Sequence, residues 1–189
     1  SLPNPQRTAH IWRDYCINRH LGDPYLIAAQ TFGFYDPRTV DFDAAVQFPP
    51  HNQFRDERWR ITSKANIANP EYSSQIYSYT KLVEHLQTFP KTPPYTLFKT
   101  AFPSWDNEPR RPGRGTIFDG SSPKTYKSWL RTISEWTFEH HSEESRFVFI
   151  NAWNEWAEGA HLEPDRRFGY AFLQATIDML KSMFIDKNA

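Results

Sequence analysis

The residues best suited to chemistry lie together near the end of the chain, in residues 151–159 (NAWNEWAEG). Glu155 and Glu158 are three positions apart, so on a helical turn they share a face with Cβ atoms about 5 to 6 Å apart. Retaining cleavage of a glycosidic bond uses two carboxyl groups about 5 to 5.5 Å apart, one ionised and one protonated. The spacing permits such a pair, although a solvated helix face offers the same spacing.

The neighbours of the two glutamates suit a sugar site. Trp153 and Trp156 flank the pair, and an indole beside a carboxyl group raises its pKa by excluding water. Asn151 and Asn154 add amide groups that could hold sugar hydroxyls or a carboxylate. We therefore take the glutamates as candidate catalytic residues, and the tryptophans and asparagines as candidate substrate contacts.

Further candidate substrate contacts come after predicted strands or downstream of the glutamates. His51 follows the second strand, where it could donate to a sugar hydroxyl, tune a glutamate, or be an ordinary surface histidine. Trp105 and Asp106 follow the third strand and could form a platform for a sugar ring. Glu163 could supply a third carboxylate, whereas Asp165 is expected to cap the last helix.

Several other chemistries are excluded or disfavoured by the motifs. The basic run at residues 110–114 (RRPGR) could hold a phosphate, but without a Gly-rich loop and Lys it is better explained as a solvated loop. The sequence contains no G-x-S-x-G, P-loop, G-x-G-x-x-G or H-E-x-x-H motif. His140 and His141 are adjacent late in a predicted helix and so point in different directions. We therefore predict no metal site and no cofactor.

Composition narrows the class of partner. The 189 residues include 22 basic and 22 acidic side chains, and this balance argues against a nucleic-acid partner. No apolar run approaches the roughly 18 to 20 residues of a membrane span, so none is predicted. Aromatic residues make up 16% of the chain, which suits stacking on sugars and equally suits a core built from rings. The single cysteine, Cys16, excludes an intramolecular disulfide.

Hydrophobic periodicity predicts helices and strands in alternation. The strands are short and almost continuously apolar, which is typical of parallel sheets covered on both faces. Helices are predicted at residues 8–20, at 73–86, from the Ser122-Pro123 cap onward, and at about 168–183; strands are predicted at residues 25–32, 42–48, 95–102 and 146–152. A long connection, residues 103–122, exceeds what packing usually needs and favours function.

The predicted fold class is α/β, with the whole chain, residues 1–189, as a single domain. About four βα units are half of a (β/α)₈ barrel, which takes about 250 residues in total. The pattern alone is equally compatible with a complete, small doubly wound domain. Either architecture predicts function in the loops after the carboxyl ends of the strands.

Three segments resemble a known family in order and spacing. Residues 42–51 (FDAAVQFPPH), 102–111 (FPSWDNEPRR) and 150–165 (INAWNEWAEGAHLEPD) resemble the C-terminal half of the WbsX-like family, described as glycosyltransferases or lipopolysaccharide biosynthesis proteins. The resemblance implies a TIM-barrel-type (β/α)₈ fold of which this chain is the C-terminal half. The W-N-E-W-x-E-G core is also similar to the catalytic segment of glycoside hydrolase family 99, the endo-acting α-mannosidases.

The likeness to family 99 implies a role for each glutamate. Glu155 would deprotonate the sugar 2-hydroxyl, which gives a 1,2-anhydro intermediate and retention, and Glu158 would be the acid/base. Ala157 stands where the hydrolases commonly have His, which affects the contacts that choose the sugar.

The resemblance also implies partners. A glycan is the expected substrate. The N-terminal half of the family's barrel lies outside these residues, so either that half or a second copy of the chain is the expected protein partner, and the isolated chain is expected to be inactive. A cytoplasmic location is favoured, and the first residues have no features of a signal peptide.

Three functions remain open from the sequence. The first is a retaining, endo-α-mannosidase-like hydrolase, which rests on the glutamates and the aromatic residues. The second is a glycosyltransferase of lipopolysaccharide, O-antigen or another surface polysaccharide, which rests on the family description. The third is a glycan-binding fragment without catalysis.

Overall fold

The structure is a computed structural model that describes residues 2–88 and 92–185. Helices and strands alternate through most of the chain, as the periodicity predicts. The elements are α1 (Pro5–Asn18), β1 (Ile27–Gln30), β2 (Ala44–Gln47), β3 (Ile76–Ser78), α2 (Tyr79–Leu86), β4 (Thr96–Ala101), β5 (Trp105–Asp106), β6 (Ile117–Asp119), α3 (Pro123–His140), β7 (Val148–Ile150), β8 (Asn154–Glu155), β9 (Ala160–His161) and α4 (Ala171–Ile185).

A four-stranded sheet with the order β1-β2-β4-β7 forms the centre of the fold. All three pairings are parallel, with Ile27 opposite Ala44, Ala44 opposite Thr96, and Thr100 opposite Phe149. The four predicted strands are confirmed, each shorter than its apolar run. Among the described residues β1 and β7 are the two edges, so the sheet is open and no barrel closes here.

The helices α2, α3 and α4 cover one side of this sheet with an aromatic core. α3 packs between α2 and α4 and against β4. The Trp129 ring of α3 meets the Phe102 ring edge-on at 4.8 Å between centroids. The hydroxyl of Tyr79, at the start of α2, donates to the Phe102 carbonyl at 2.6 Å. The high aromatic content thus serves the core in large part.

Three predicted helix starts are wrong by at least three residues, and the first is that of α1, which begins at Pro5 instead of residue 8. Residues 76–78 were predicted as helix but form β3, because they pair with β6 and the Ile76 N–H donates to the Thr62 hydroxyl at 2.8 Å. α2 therefore begins only after Ser78, whose hydroxyl caps it. α4 begins at Ala171 instead of about 168, because Asp165 accepts the N–H groups of Arg167 and Phe168 and so holds a separate turn. Asp165 is thus not the cap of α4.

The long connection after β4 contains two strands that the sequence pattern did not predict. It carries β5 and β6, which form a small sheet with β3 in the order β3-β6-β5. β8 and β9 form an antiparallel pair around a 3-10 turn at Trp156–Glu158.

Within residues 2–88 and 92–185, no helix combines the length and the apolar character needed to cross a bilayer.

Candidate active site

A cleft of about 650 Å³ opens beyond the carboxyl ends of the four parallel strands. The segment that follows each strand contributes to its wall, which is where parallel βα folds place ligands. The lining residues are Phe32, Gly33 and Tyr35 after β1; His51, Asn52 and Arg55 after β2; Trp105, Asn107, Arg110 and Arg111 after β4; and Glu158 after β7.

The two predicted catalytic glutamates are brought together by an arginine. They do not share a helical turn, since Glu155 ends β8 and Glu158 ends the 3-10 turn that follows. Arg110 Nη1 lies 3.0 Å from Glu158 Oε1 and 3.9 Å from Glu155 Oε1. Both carboxylates therefore reach one guanidinium nitrogen.

The two glutamates differ in their surroundings. The Glu158 side chain is 24% exposed and that of Glu155 42% exposed. Burial raises the pKa of Glu158 above its ordinary value, Arg110 opposes that rise, and the charge of Glu155 adds to it. A carboxyl group that holds its proton more tightly than usual is suited to act as a general acid.

The backbone next to Glu158 is packed tightly on β5. Gly159 has φ +60°, and a Cβ atom there would lie 2.9 Å from the backbone nitrogen of Asp106. The Ser104 hydroxyl donates to the Gly159 carbonyl. Asp106 itself is exposed and its carboxylate accepts the Glu108 N–H at 2.9 Å, so in this structure it orders the loop after β5.

Two other predicted substrate residues line the cleft. Trp105 is only 3% exposed, and its indole N–H has no hydrogen-bond partner in the described part of the chain. His51 meets the Phe32 ring edge-on at 4.9 Å. Burial lowers the pKa of His51, and the nearby charge of Arg55 acts in the same direction, so a neutral imidazole faces the cleft at neutral pH.

Trp156 and Glu163 form a cluster of their own with His161. The rings of Trp156 and His161 stack at 3.8 Å, and the Trp156 indole donates to Glu163 Oε2 at 2.5 Å. His161 Nε2 lies 3.2 Å from Asp165 Oδ2. Trp153 is exposed, and neither it nor Trp156 is in the wall of the cleft.

The two predicted asparagines have different positions. Asn151 donates its side-chain amide to the Pro49 carbonyl and its backbone N–H to the Ala101 carbonyl, both at 2.8 Å. It therefore ties the end of β7 to the segments after β2 and at the end of β4. Asn154 is exposed and pairs with His161 in the β8–β9 ladder.

Comparison with known proteins identifies the family. The sequence model of the family described as glycosyltransferase WbsX matches residues 1–176. The chain belongs to this WbsX glycosyltransferase family. The resemblance in the three sequence segments is thereby confirmed.

Curated relatives of this WbsX family member come from Xanthomonas campestris pv. campestris. Proteins named "Uncharacterized protein WxcX" in strains B100 and ATCC 33913 are each 42% identical over 175 residues. The match covers 93% of this chain and 25% of each relative, so the chain spans about a quarter of their length.

A solved structure shares the fold of the WbsX chain. It is named "Glycoside hydrolase-like protein" and aligns with a TM-score of 0.57 at 16% sequence identity. The alignment covers 95% of this chain and 50% of that one. The fold is therefore mixed α/β with a parallel sheet, like that of this glycoside hydrolase-like protein.

Sequence reasoning missed several cleft residues of this WbsX family member. Arg110 and Arg111 line the cleft, although the basic run was interpreted as a solvated loop; the third arginine of that run, Arg114, lies outside the wall. Phe32, 90% exposed, presents an aromatic face there. The available signal was position, because each of these residues follows a parallel strand.

Asn52 links two of the loops that form the cleft. Its side chain accepts the Gly33 N–H at 2.8 Å and donates to the Phe34 carbonyl at 2.9 Å.

In the residues that the structure describes, no group of three or more His, Cys, Asp or Glu side chains is arranged to hold a metal ion.

Proposed function

We propose that this chain contributes the catalytic glutamates of a carbohydrate-active enzyme that cleaves glycosidic bonds with retention. The observation that carries the proposal is the pairing of Glu155 and Glu158 through Arg110, beside a cleft at the strand ends. The raised pKa of Glu158 supports its assignment as the acid/base. The more exposed Glu155 is then assigned as the partner that accepts the proton of the sugar 2-hydroxyl.

The proposed reaction proceeds in two steps. Glu158 protonates the glycosidic oxygen while Glu155 takes the proton of the sugar 2-hydroxyl, whose oxygen attacks the anomeric carbon to form a 1,2-anhydro sugar. Glu158, now ionised, takes a proton from water, which opens the anhydro ring at the anomeric carbon. The 2-hydroxyl regains its proton from Glu155, and the anomeric configuration is retained. We propose an endo-α-mannosidase-like specificity on the basis of the resemblance to family 99.

We assign the remaining predicted contact residues to the substrate according to where each lies relative to the cleft. We propose that Trp105 and His51 contact the sugar within the cleft, where Phe32 adds a ring for stacking. Trp153, Asn154, Asp106, Trp156 and Glu163 would contact parts of a longer glycan beyond the cleft, and Asn151 would position the loop between β7 and β8.

We further propose that residues 1–189 are one domain that forms the C-terminal half of a (β/α)₈ barrel. The strand order β1-β2-β4-β7 supports this, because each strand is added beside its predecessor in one direction. A doubly wound sheet reverses its order at a switch point. Coverage of half of the glycoside hydrolase-like structure agrees with the proposal.

The test uses a long form, meaning a polypeptide of the relatives' length that includes this sequence. Release of reducing ends is measured from mannose-containing and bacterial surface polysaccharides, for the wild type and for Glu158→Gln. We expect the variant to lose about 100-fold or more of the rate, because it cannot exchange the proton. Glu135→Gln is the matched control, since Glu135 lies on α3, where its side chain is 54% exposed, and is outside the cleft wall.

The outcomes separate the candidate functions. Full activity in Glu158→Gln contradicts the proposed mechanism. Glycan binding without release, weakened by Trp105→Ala but not by Glu158→Gln, indicates a binding module.

A second candidate is the glycosyltransferase that the family description names. The arginines of the cleft favour it, because guanidinium groups suit the diphosphate of a nucleotide sugar. Transfer of sugar from a nucleotide donor by the long form, without reducing-end release, would support this candidate over the hydrolase.

A further inference from the structure

The wall of the cleft carries more positive charge than the glutamate pair uses. Arg55, Arg110 and Arg111 all line it, with Glu158 as the acidic lining residue. Arg110 is paired with Glu158 and lies near Glu155. Within residues 2–88 and 92–185, neither Arg55 nor Arg111 forms an ion pair with a carboxylate.

Arg55 is held in place by the backbone and not by an acid. Its Nε donates to the Pro50 carbonyl at 3.1 Å, and its two terminal nitrogens have no hydrogen-bond partner in the described chain. Burial lowers the pKa of Arg55, Arg111 acts in the same direction, and Glu158 opposes them. The positive charges of Arg55 and Arg111 are thus kept close together, and the terminal N–H groups of Arg55 are not used by the described chain.

Glu108, an acid of the loop that carries Arg111, is already engaged by the backbone of that loop. The Glu108 carboxylate accepts the N–H groups of Gly113 and Gly115, the second at 2.8 Å. The Arg111 N–H donates to the carbonyls of Asn107 and Glu108, both at 3.1 Å. Glu108 therefore orders the backbone of the loop and leaves the Arg111 guanidinium for the cleft.

We infer that the cleft recognises a carboxylate or phosphate group on the glycan substrate, held by Arg55 and Arg111 beside the glutamate pair. Guanidinium groups bind both anions through paired N–H donors, and such charge-assisted bonds are stronger than neutral ones. The inference rests on the proposed function, which it narrows to acidic or phosphorylated glycans.

The test measures binding to the long form by isothermal titration calorimetry. The probes are an oligogalacturonate, the same oligosaccharide after reduction of its carboxyl groups to alcohols, and inorganic pyrophosphate. We expect the acidic oligosaccharide or pyrophosphate to bind, with an affinity that falls as salt is added. If the charged group is a carboxylate, reduction weakens binding about tenfold or more.

Arg111→Gln and Arg114→Gln form the matched pair of variants. Arg114 belongs to the same loop but lies outside the cleft wall. We expect Arg111→Gln to remove most of the preference for the charged probe and Arg114→Gln to keep it. Arg55→Gln should repeat the effect of Arg111→Gln, so that a folding defect in one variant does not decide the result.

Each outcome separates the inference from the proposed function. Equal binding of the acidic and reduced oligosaccharides overturns the inference and leaves a glycan site in place. Binding of pyrophosphate alone, dependent on Arg111, identifies phosphate as the anion and counts against cleavage of unphosphorylated glycans here. If no probe binds, or if Arg114→Gln and Arg111→Gln behave alike, the inference is wrong, while the Glu158→Gln assay still tests the proposed function.

Discussion

Arg110 contacts both glutamates, so its charge affects the proton on Glu158 directly. Burial raises the pKa of Glu158 and Arg110 opposes that rise, so Arg110→Gln should raise the pKa further. An acid works only while protonated, and its activity is lost as pH rises through its pKa. The alkaline limb of the rate profile should therefore move to higher pH, by up to about one unit.

The measurement is the pH dependence of kcat/KM for the long form. Arg114→Gln is the control, because it removes the same charge from the same loop outside the cleft wall. A limb that stays in place or moves to lower pH in Arg110→Gln would show that Arg110 does not act on the catalytic acid.

Gly159 is the residue that lets the turn bearing Glu158 approach β5. In Gly159→Ala, the new Cβ would lie 2.9 Å from the Asp106 backbone nitrogen, and φ +60° would be strained as well. We expect the free energy of unfolding to fall by more than the cost of the backbone strain alone, which is about 1 to 2 kcal/mol. Gly169→Ala is the control, since Gly169 has φ +53° and nothing within 4 Å of an added Cβ.

Thermal unfolding and glycan release are measured for both glycine variants. If Gly159→Ala loses no more stability than Gly169→Ala and stays active, the close approach to β5 is not needed to position Glu158.

At the scale of residues, the sequence predicted the types of group in the site better than their contacts. Glu158, Trp105 and His51 were found because they follow strands, and all three line the cleft. Arg110 was assigned to solvent because its partner lies 48 residues away along the chain. No local pattern reports a contact of that kind.

At the scale of elements, α3 has a start signal that acts locally. The Ser122 hydroxyl accepts the Thr125 N–H at 3.2 Å, and the Thr125 hydroxyl accepts the Ser122 N–H at 3.0 Å. Ser122→Ala should lower the free energy of unfolding by about 1 kcal/mol, because the Thr125 N–H at the helix start loses its acceptor. Urea unfolding measures this, with Ser121→Ala as the neighbouring control.

An equal loss in the two serine variants would mean that the capping box contributes nothing of its own. The same locality explains why α3 was predicted well, including its start at Pro123. The start of α2 was missed because β3 depends on pairing with β6, which is about 40 residues further along the chain. The start of α3, set by a local cap, could be predicted, whereas the start of α2, set by the distant pairing of β3, could not.

At the scale of the whole molecule, the two faces of the central sheet are covered unequally. Neighbours in register share a face, so Lys99 and Val148 lie on one side and Thr100 and Phe149 on the other. Lys99 is buried, with its ammonium 4.2 Å from the Trp136 ring of α3. Phe149 is 38% exposed, and Ile27 of the edge strand β1, on the same face as Phe149, is 36% exposed.

The strand number could be predicted from sequence, but closure of the sheet could not. Four apolar runs specify four strands, whereas a barrel needs hydrogen bonds from both edges, β1 and β7. A partly exposed apolar face between two open edges is what one half of a barrel presents to the other half. The proposed half barrel therefore predicts how the chain behaves when it is alone.

We expect the isolated chain to self-associate through this face, because an open sheet edge with apolar side chains pairs with another copy. We also expect it to release no sugar, because the proposed site is completed by the other half of the barrel. Sedimentation velocity over a concentration series measures the association, and the long form should stay monomeric in the same series. Ile27→Lys should weaken association by placing a charge on the exposed face at the β1 edge, whereas Ile177→Lys, at an exposed position on α4, should not. A chain that stays monomeric and turns over substrate would contradict the half barrel, because a complete site would then exist without a second half.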